Sequence, residues 1–466
     1  MSDDPHVYPL DLPRGQIDPD DLHWYSEELN HRAPQLFAEN ETICQVDLHQ
    51  HSPSRPKATP TPGDPKEPAT ASQELSGGPC QKPRPGSDEE VKLSKQTSLS
   101  TAESLRSTLE AEQLPGSTRL FTIYRANSWS RMKITADMFR ALCTSLKTFP
   151  RMLDLLRGMQ YKSAPSDEHF MSCYNRIHGL AGDPSGGDTQ PTPKTELSFQ
   201  VCYNLRHFER HGRDLKDPWS CRQTVIYQRH EVSAAKSSWI VVQPSARWQA
   251  SLDDVATGNA THPLFLHIRS LSSAIANNWE YLEYLSSLVL SYDQDAAFPK
   301  APDKFDFDFT LHQKVQSVRK RLIHVKTILQ GTLRTVLSIS SLARAIRNLG
   351  CVSGVEDDAF NREMEHIMRD LEAYKSTSDE LLSLSADIRS TISSVLNFRN
   401  QDLANGNSVQ IHRIAEDNAR ETQIMNDIAK QTYKDSRAVR IATVIALIYL
   451  PANLVTVRPP MTAAPC

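Results

Sequence analysis

The stretch Ile441–Val457 limits most strongly what this chain can fold into, because none of its seventeen residues is charged. A helix that crosses a bilayer needs roughly 17–25 mostly apolar residues, so this stretch lies at the low end of that range. Hydropathy leaves two interpretations open: a membrane-spanning helix and a buried C-terminal helix. If the stretch spans a membrane, residues 1–440 are expected in the cytosol. Arg437 and Arg440 before it agree with the positive-inside rule, and the N-terminus has no signal peptide.

Composition excludes several classes of protein. The mean hydropathy of -0.48 argues against a polytopic membrane protein, while 39% hydrophobic residues suffice for a core. The net charge of -4 gives no bulk argument for binding nucleic acid, so nucleic acid is not an expected partner. The eight cysteines show neither a CxxC pair nor zinc spacing. Without a P-loop, a nucleotide fingerprint or a defensible Ser-His-Asp order, the chain is predicted not to be an enzyme and to need no cofactor.

Shifts in composition divide the chain into six segments. They are an N-terminal segment that packs on the core (1–50), a disordered Pro/Ser/Thr-rich insert (51–116), an α/β domain (117–300), long helices and a stalk (301–440), the candidate membrane helix (441–457) and an irregular tail (458–466). This order predicts an α+β domain followed by long amphipathic helices and one membrane-grade helix at the C-terminus.

Strand patterns concentrate in the third segment. Leu197–Tyr203, Gln223–Tyr227 and Ser238–Val242 have the length and the β-branched or aromatic content of strands, as do the residues from Leu120 to Tyr124. Thr135–Thr148 has helical spacing, with Thr135 as its N-cap. A small mixed sheet with flanking helices follows from these patterns.

Apolar residues at helical spacing dominate the chain after Pro263. The periodicity predicts helices at Leu264–Tyr292, His312–Leu349, Phe360–Arg399 and Val409–Lys434. Asn405-Gly406-Asn407 is expected to interrupt or kink the last part. Polar residues on the final stripe suit a wet or oligomeric stalk better than a dry core.

Several blocks resemble the fungal CorA-like proteins. The run Tyr203–Gln228 contains Gly-Arg, then Asp-Pro-Trp-Ser-x-Arg-Gln-Thr, then Tyr-Gln, in the order of the signature of that group. Asn127–Arg140, His262–His267 and Lys434–Pro451 are similar to further segments of it. The resemblance covers roughly residues 119–457.

The resemblance implies a pentameric channel for divalent cations, chiefly Mg²⁺, embedded in a lipid bilayer. It implies a cytosolic funnel domain, a stalk helix that continues into a pore-lining helix, a Gly-Met-Asn motif and a second membrane helix. The implied pore-facing positions are Ser436, Val439, Ala442, Leu450 and Asn453. Asp303, Asp306 and Asp308 are candidate carboxylates for a regulatory Mg²⁺, although a solvated face is the alternative and the favoured interpretation.

The sequence departs from that family where the motif belongs. Pro460-Met461-Thr462 stands in its place, and no second membrane helix follows. Three interpretations remain: a transporter-family protein that does not transport in this truncated form, a regulatory or scaffold protein that uses the CorA-like domain as an interaction module, and an incomplete gene model.

Two smaller constellations have structural interpretations. His207 and His211 form either a metal pair or ordinary surface histidines, and the strand-like surroundings favour the latter. Asp217 is expected to fix a turn that buries Trp219, and Arg222 to pair with Asp217 or Asp214.

Overall fold

A computed structural model describes residues 8–12, 19–51, 94–163, 170–179, 197–252, 262–297 and 307–456. The chain forms two compact units. The first comprises residues 1–295 and 313–386, and the second comprises residues 296–312 and 387–466.

The first unit is built on a seven-stranded sheet. Its strands are β1 (Val46–His51), β2 (Ser94–Leu99), β3 (Thr118–Ile123), β4 (Cys173–His178), β5 (Ser198–Arg210), β6 (Trp219–Glu231) and β7 (Lys236–Val242). Their spatial order is β2-β1-β3-β7-β6-β5-β4. Every pair is antiparallel except β3 with β7, which run parallel. The predicted mixed sheet is therefore confirmed.

Nine helices of four or more residues lie in the described part of the chain. They are α1 (Pro19–Leu36), α2 (Ala102–Glu110), α3 (Ala136–Ser145), α4 (Arg151–Leu156), α5 (Ala246–Ala250), α6 (Phe265–Ile275), α7 (Asn278–Ala297), α8 (Phe307–Asn348) and α9 (Gly354–Thr456). Thr135 caps α3 as predicted, because its hydroxyl accepts from the backbone N–H of Met138 at 3.2 Å.

Helices cover both faces of the sheet. On one face, Phe121, Tyr227 and Ile240 share a buried cluster with residues of α1, α3 and α4. On the other face, the rings of Trp239 and His267 lie 4.6 Å apart. Burial of β5 is consequently continuous over most of its length instead of alternating, which is typical of a strand covered on both sides.

The predicted disorder of residues 51–116 does not hold for residues 94–110, which form β2 and α2. β2 pairs with β1 along its whole length, and Leu99 and Leu105 are buried. A capping box between Thr101 and Ser104 begins α2. Composition reflects only the small apolar area that these residues can bury by themselves. It does not include the backbone hydrogen bonds that β2 forms with β1, which is distant in sequence. Residues 52–93 lie outside the described part.

The helical predictions are confirmed in type and corrected in extent. The expected helix Leu264–Tyr292 is two helices, α6 and α7, separated at Ala276 and Asn277. The expected interruption at Asn405-Gly406-Asn407 is wrong, because α9 runs through it. A glycine inside a helix costs about 1 kcal/mol relative to alanine, too little to end a long helix.

Within the first unit, α8 packs against the first part of α9. Lys326 Nζ lies 2.6 Å from Asp379 Oδ1, and Arg319 Nη1 donates to the Leu382 carbonyl at 2.9 Å. Most of the predicted apolar stripe of α8, including Leu322 and Leu329, is buried, whereas Leu337 at its end is 50% exposed.

The predicted membrane helix Ile441–Val457 is not confirmed. Among the residues that the structure describes, no helix combines the length and the apolarity that crossing a bilayer needs. The backbone is helical to Thr456, but side chains are described only to Tyr449. Residues 457–466, including the predicted irregular tail, lie outside the described residues.

Candidate functional site

The signature run Tyr203–Gln228 forms most of the β5–β6 hairpin. At its tip, Asp217 Oδ1 accepts from the backbone N–H of Trp219 at 3.1 Å, and its Oδ2 lies 2.9 Å from Arg321 Nη1 of α8. The indole of Trp219 is buried, and Arg210 lies over it at 5.1 Å from the ring centroid. The Asp-Pro-Trp block therefore fixes a turn and ties the hairpin to α8, as the sequence predicted for the turn.

Arg222 does not pair with Asp217 or Asp214. It pairs across the hairpin with Glu209, whose Oε2 lies 3.6 Å from Arg222 Nε. Glu209 also accepts from His207 Nε2 at 3.2 Å, and this hydrogen bond lowers the pKa of the Glu209 carboxyl. Local spacing misses this arrangement, because antiparallel pairing places residues 207 and 222 opposite each other.

The two histidines of the signature do not form a metal pair. His207 is buried beside Glu209, whereas the His211 ring nitrogen Nε2 donates to the Asp217 carbonyl at 2.7 Å. Across the described ranges, no cluster of three or more His, Cys, Asp or Glu side chains has a geometry that holds a metal ion. Both histidines serve the hairpin, but the favoured interpretation as surface residues is wrong for His207, which is only 3% exposed.

The five pore-facing positions all lie on α9. With 3.6 residues per turn, Ser436, Val439, Ala442, Leu450 and Asn453 fall within an arc of about 120° of the helix. Ser436, Val439 and Ala442 are exposed, whereas nothing is described for the side chains of the other two. The backbone thus brings the five positions to one side of one helix.

Only one of the three candidate regulatory carboxylates, Asp308, belongs to a described element. Asp303 and Asp306 lie outside the described residues. Asp308 belongs to the first turn of α8, but its side chain is not described. Their role stays a prediction.

Sequence reasoning missed a buried polar clamp at the start of α9. Asp357, whose side chain is fully buried, accepts through Oδ2 from Arg347 Nη1 at 3.0 Å and from Asn361 Nδ2 at 2.8 Å. His262 Nε2 lies 3.7 Å from the other carboxylate oxygen, and the ring stacks on Phe360 at 4.2 Å. The clamp fixes the start of α9 to the last turn of α8 and to His262.

A second missed feature is a buried hydrogen-bond chain between the sheet and α6. His267 Nδ1 lies 2.8 Å from Tyr203 Oη, and its Nε2 lies 2.8 Å from Gln228 Oε1. Burial and the nearby His262 lower the pKa of His267 to about 3, and the same two causes lower that of His230 to about 4. Both imidazoles are neutral at pH 7. The only sequence signal was the similarity of His262–His267 to a family block.

Residues 84–278 match the profile of the CorA-like transporters. The matched family is non-enzymatic, which agrees with the sequence prediction. Neither the fungal origin nor the truncation suggested by the sequence blocks is established by this match. No curated protein matches the chain at a significant level.

Solved structures resemble the chain more distantly. The ZntB cytoplasmic domain from Vibrio parahaemolyticus shares 12% identity over 66% of this chain and 95% of its own, with a TM-score of 0.37. The CorA magnesium transporter from Methanocaldococcus jannaschii shares 8% identity over 62% and 73%, with a TM-score of 0.35. The full-length CmaX protein shares 13% identity over 76% and 80%, with a TM-score of 0.34. TM-scores this low do not establish a common fold.

Proposed function

We propose that this chain is a subunit of a CorA-like transporter of divalent cations, with Mg²⁺ as its principal ion. The observation that carries the proposal is the match of residues 84–278 to the CorA-like transporters. In the proposed arrangement the first unit lies in the cytosol, several copies associate around the stalk, and the end of α9 meets the lipid bilayer. Five copies are expected by resemblance.

The surface of α9 supports an assembly of copies. From residue 400 to residue 449, every side chain of the helix is exposed. They include Ile411, Ile428 and Val439, which are 66%, 55% and 64% exposed. A stretch of this length with regularly placed apolar side chains gains free energy when another apolar surface covers it, at about 25 cal/mol for each Å² buried. Neighbouring copies and lipid both provide such a surface.

Cation uptake by the full chain tests the proposal. Expressed in cells that lack their own Mg²⁺ transport, the chain is expected to restore Mg²⁺ uptake, measured with a fluorescent Mg²⁺ indicator. Val439→Trp places an indole on the proposed pore side and is expected to abolish uptake. Val444→Trp is the matched control on another side of the helix, about 140° away, and is expected to keep most of the uptake.

Two results would overturn the proposal for this chain. One is an absence of uptake of Mg²⁺, Co²⁺, Ni²⁺ and Zn²⁺ while the protein is present in the membrane fraction. The other is equal loss of uptake in both tryptophan variants, which contradicts the assignment of the pore side.

A second candidate is a regulatory or scaffold protein that does not transport. It is favoured by Pro460-Met461-Thr462, since proline and threonine supply neither the backbone freedom of glycine nor the amide oxygen of asparagine in the aligned motif. It predicts no cation uptake and a stable complex of the full chain with another protein, detected by crosslinking in cells and by mass measurement of the purified complex.

A further inference from the structure

A cavity of about 170 Å³ lies in the first unit, at the edge of the sheet where β3 and β7 end. Because these two strands are parallel neighbours, their carboxyl ends meet at this edge. Arg125, just after β3, donates its backbone N–H to Oε1 of Gln243, just after β7, at 2.7 Å. Residues of the β5–β6 hairpin and His324 of α8 complete the wall.

The charged side chains that line this cavity are all cations, and one of them, Arg222, also pairs with Glu209, which does not line it. Arg125, Lys162, Arg206 and Arg222 line it, and no aspartate or glutamate of the described chain is among its lining residues. Arg125 and Arg206 are only 6% and 7% exposed. A cleft lined by one sign of charge concentrates the electric field and attracts ions of the opposite sign.

The cations already have contacts, and these hold the walls in place. Arg125 donates to the carbonyls of Ser128, Ser130 and Gln160 at 2.9, 2.8 and 3.3 Å. Lys162 and Arg206 also take part in interactions of their own. A guanidinium carries five N–H donors and an ammonium carries three, so such groups also have capacity for a ligand. The arrangement is a built cationic wall and not a set of loose surface lysines.

Gln223 supplies a donor that lacks an acceptor. It stands opposite Arg206 in the β5–β6 ladder, so both side chains lie on the same face of the sheet. Its amide nitrogen is buried, and among the described residues nothing accepts from it. A buried donor without an acceptor destabilises the folded chain, and a bound anion would remove this penalty by accepting its hydrogen bond.

A tryptophan lies where this cavity meets solvent. Trp129 lines it and is 43% exposed. Its backbone is fixed, because its N–H donates to Asn127 Oδ1 at 2.9 Å and its carbonyl accepts from the Lys162 N–H at 3.1 Å. An exposed indole held beside cationic groups is suited to stacking on a planar organic group.

We propose that this cavity binds a small phosphate-bearing molecule, with its phosphate on Lys162, Arg206 and Gln223 and its organic part against Trp129. Phosphate oxygens accept charge-assisted hydrogen bonds from arginine and lysine, and they accept equally from the amide of Gln223. The volume holds a phosphate group with a small organic part. The site is independent of α9 and of cation transport.

Calorimetric titration of the purified full chain with inorganic phosphate and with adenosine 5′-monophosphate tests the proposal, with sodium chloride holding ionic strength constant. Saturable binding of both is expected, with the nucleotide tighter. Lys162→Gln is expected to weaken phosphate binding about tenfold, since it removes one charge-assisted hydrogen bond. Gln223→Glu, which places a carboxylate in the wall, is expected to abolish binding.

Lys320→Gln is the matched control, because Lys320 is exposed on α8 and does not line the cavity. It is expected to bind phosphate as the wild type does. Trp129→Phe is expected to keep phosphate affinity and to lose the fluorescence change caused by the nucleotide. Thermal unfolding of each variant identifies a misfolded protein. The proposal is wrong if no saturable binding occurs below about 10 mM phosphate, or if folded Lys162→Gln and Lys320→Gln bind alike.

Discussion

Apolar residues of the sheet and apolar residues of the stalk, residues 400–449 of α9, have opposite surroundings. Phe121, Tyr227 and Trp239 of the sheet are at most 1% exposed, whereas Ile411 and Ile428 of the stalk are 66% and 55% exposed. The chain itself covers the first group. Nothing among the described residues covers the second. Amphipathic spacing therefore predicts a helix, but it does not tell whether the apolar side is covered by the same chain or by something else.

A large-to-small substitution in the sheet and one in the stalk are expected to differ most in the unfolding free energy that they remove. Phe121→Ala is expected to lower the free energy of unfolding by about 3–5 kcal/mol, because it removes a fully buried ring and leaves a cavity. Ile428→Ala is expected to change it by less than about 0.5 kcal/mol at low protein concentration. Urea unfolding of the full chain measures both. If both variants lose a similar free energy of unfolding, Ile428 is covered in solution and the two regions do not differ as described.

Two adjacent aspartates of α9, the buried Asp357 and the exposed Asp358, give the second largest difference in expected stability. Asp357→Ala is expected to cost about 2–3 kcal/mol, because Arg347 and Asn361 lose a buried charged acceptor. Asp358→Ala is the matched control. Asp358 also pairs with Arg347 at 3.0 Å but is 64% exposed, so its loss is expected to cost less than about 1 kcal/mol. Urea unfolding at pH 7 measures the free energy that each variant loses. Equal losses would show that the buried Asp357 stabilises the fold no more than the exposed Asp358.

Acid sensitivity is expected to originate in the first unit. The pKa of His267 is lowered to about 3, so the unfolded chain takes up a proton below pH 6.5 that the folded chain does not. Stability from this group is complete above pH 6.5 and falls by about 1.4 kcal/mol per pH unit below it, or about 2 kcal/mol at pH 5.

His267→Gln is expected to reduce the slope of unfolding free energy against pH by that amount. His412→Gln makes the same change at an exposed stalk position and is expected to keep the wild-type slope. Urea unfolding from pH 5 to pH 7.5 measures the slopes. Identical slopes in the two variants would contradict the burial of an unprotonated His267.

A helix cap gives the smallest contrast. Thr135→Ala is expected to cost about 1 kcal/mol, because the N-terminus of α3 loses its side-chain acceptor. Thr422→Ala is expected to change stability by less than about 0.5 kcal/mol, since that hydroxyl only donates back to the Asn418 carbonyl within its own exposed helix. Thermal unfolding of both variants decides between a specific cap effect and a general effect of losing a threonine.

Features that depend on neighbours in sequence were predictable. The cap at Thr135 and the buried stripe of α8 follow from short spacing rules, and the hairpin strands follow from composition. β2 was not predictable, because its polar sequence forms a strand only when the edge of β1 is available. The continuity of α9 through Gly406 was also missed, because a turn signal was given more weight than the helical residues around it.

The cationic cavity lies beyond sequence reasoning for a related reason. Arg125, Lys162 and Arg206 follow no common spacing, and each alone is an ordinary surface residue type. The sheet order brings them together, since it places the end of β3 beside the end of β7 and next to the hairpin. The five predicted pore positions differ from the cavity residues, because all five lie on α9. Their spacing within one aligned segment was therefore enough to predict that they share one side of the helix.

The position of β3 inside the sheet, between β1 and β7, imposes an order on folding during synthesis. β5, β6 and β7 are neighbours in both sequence and space, so they can assemble as a meander soon after synthesis. β3 pairs with β1 on one side and must wait for β7 on the other, where Thr118 meets Ser237. Until β7 leaves the ribosome, the nascent sheet exposes an unpaired and largely apolar edge. Parallel pairing between such distant segments is slow, so this interval is where chaperones are most needed.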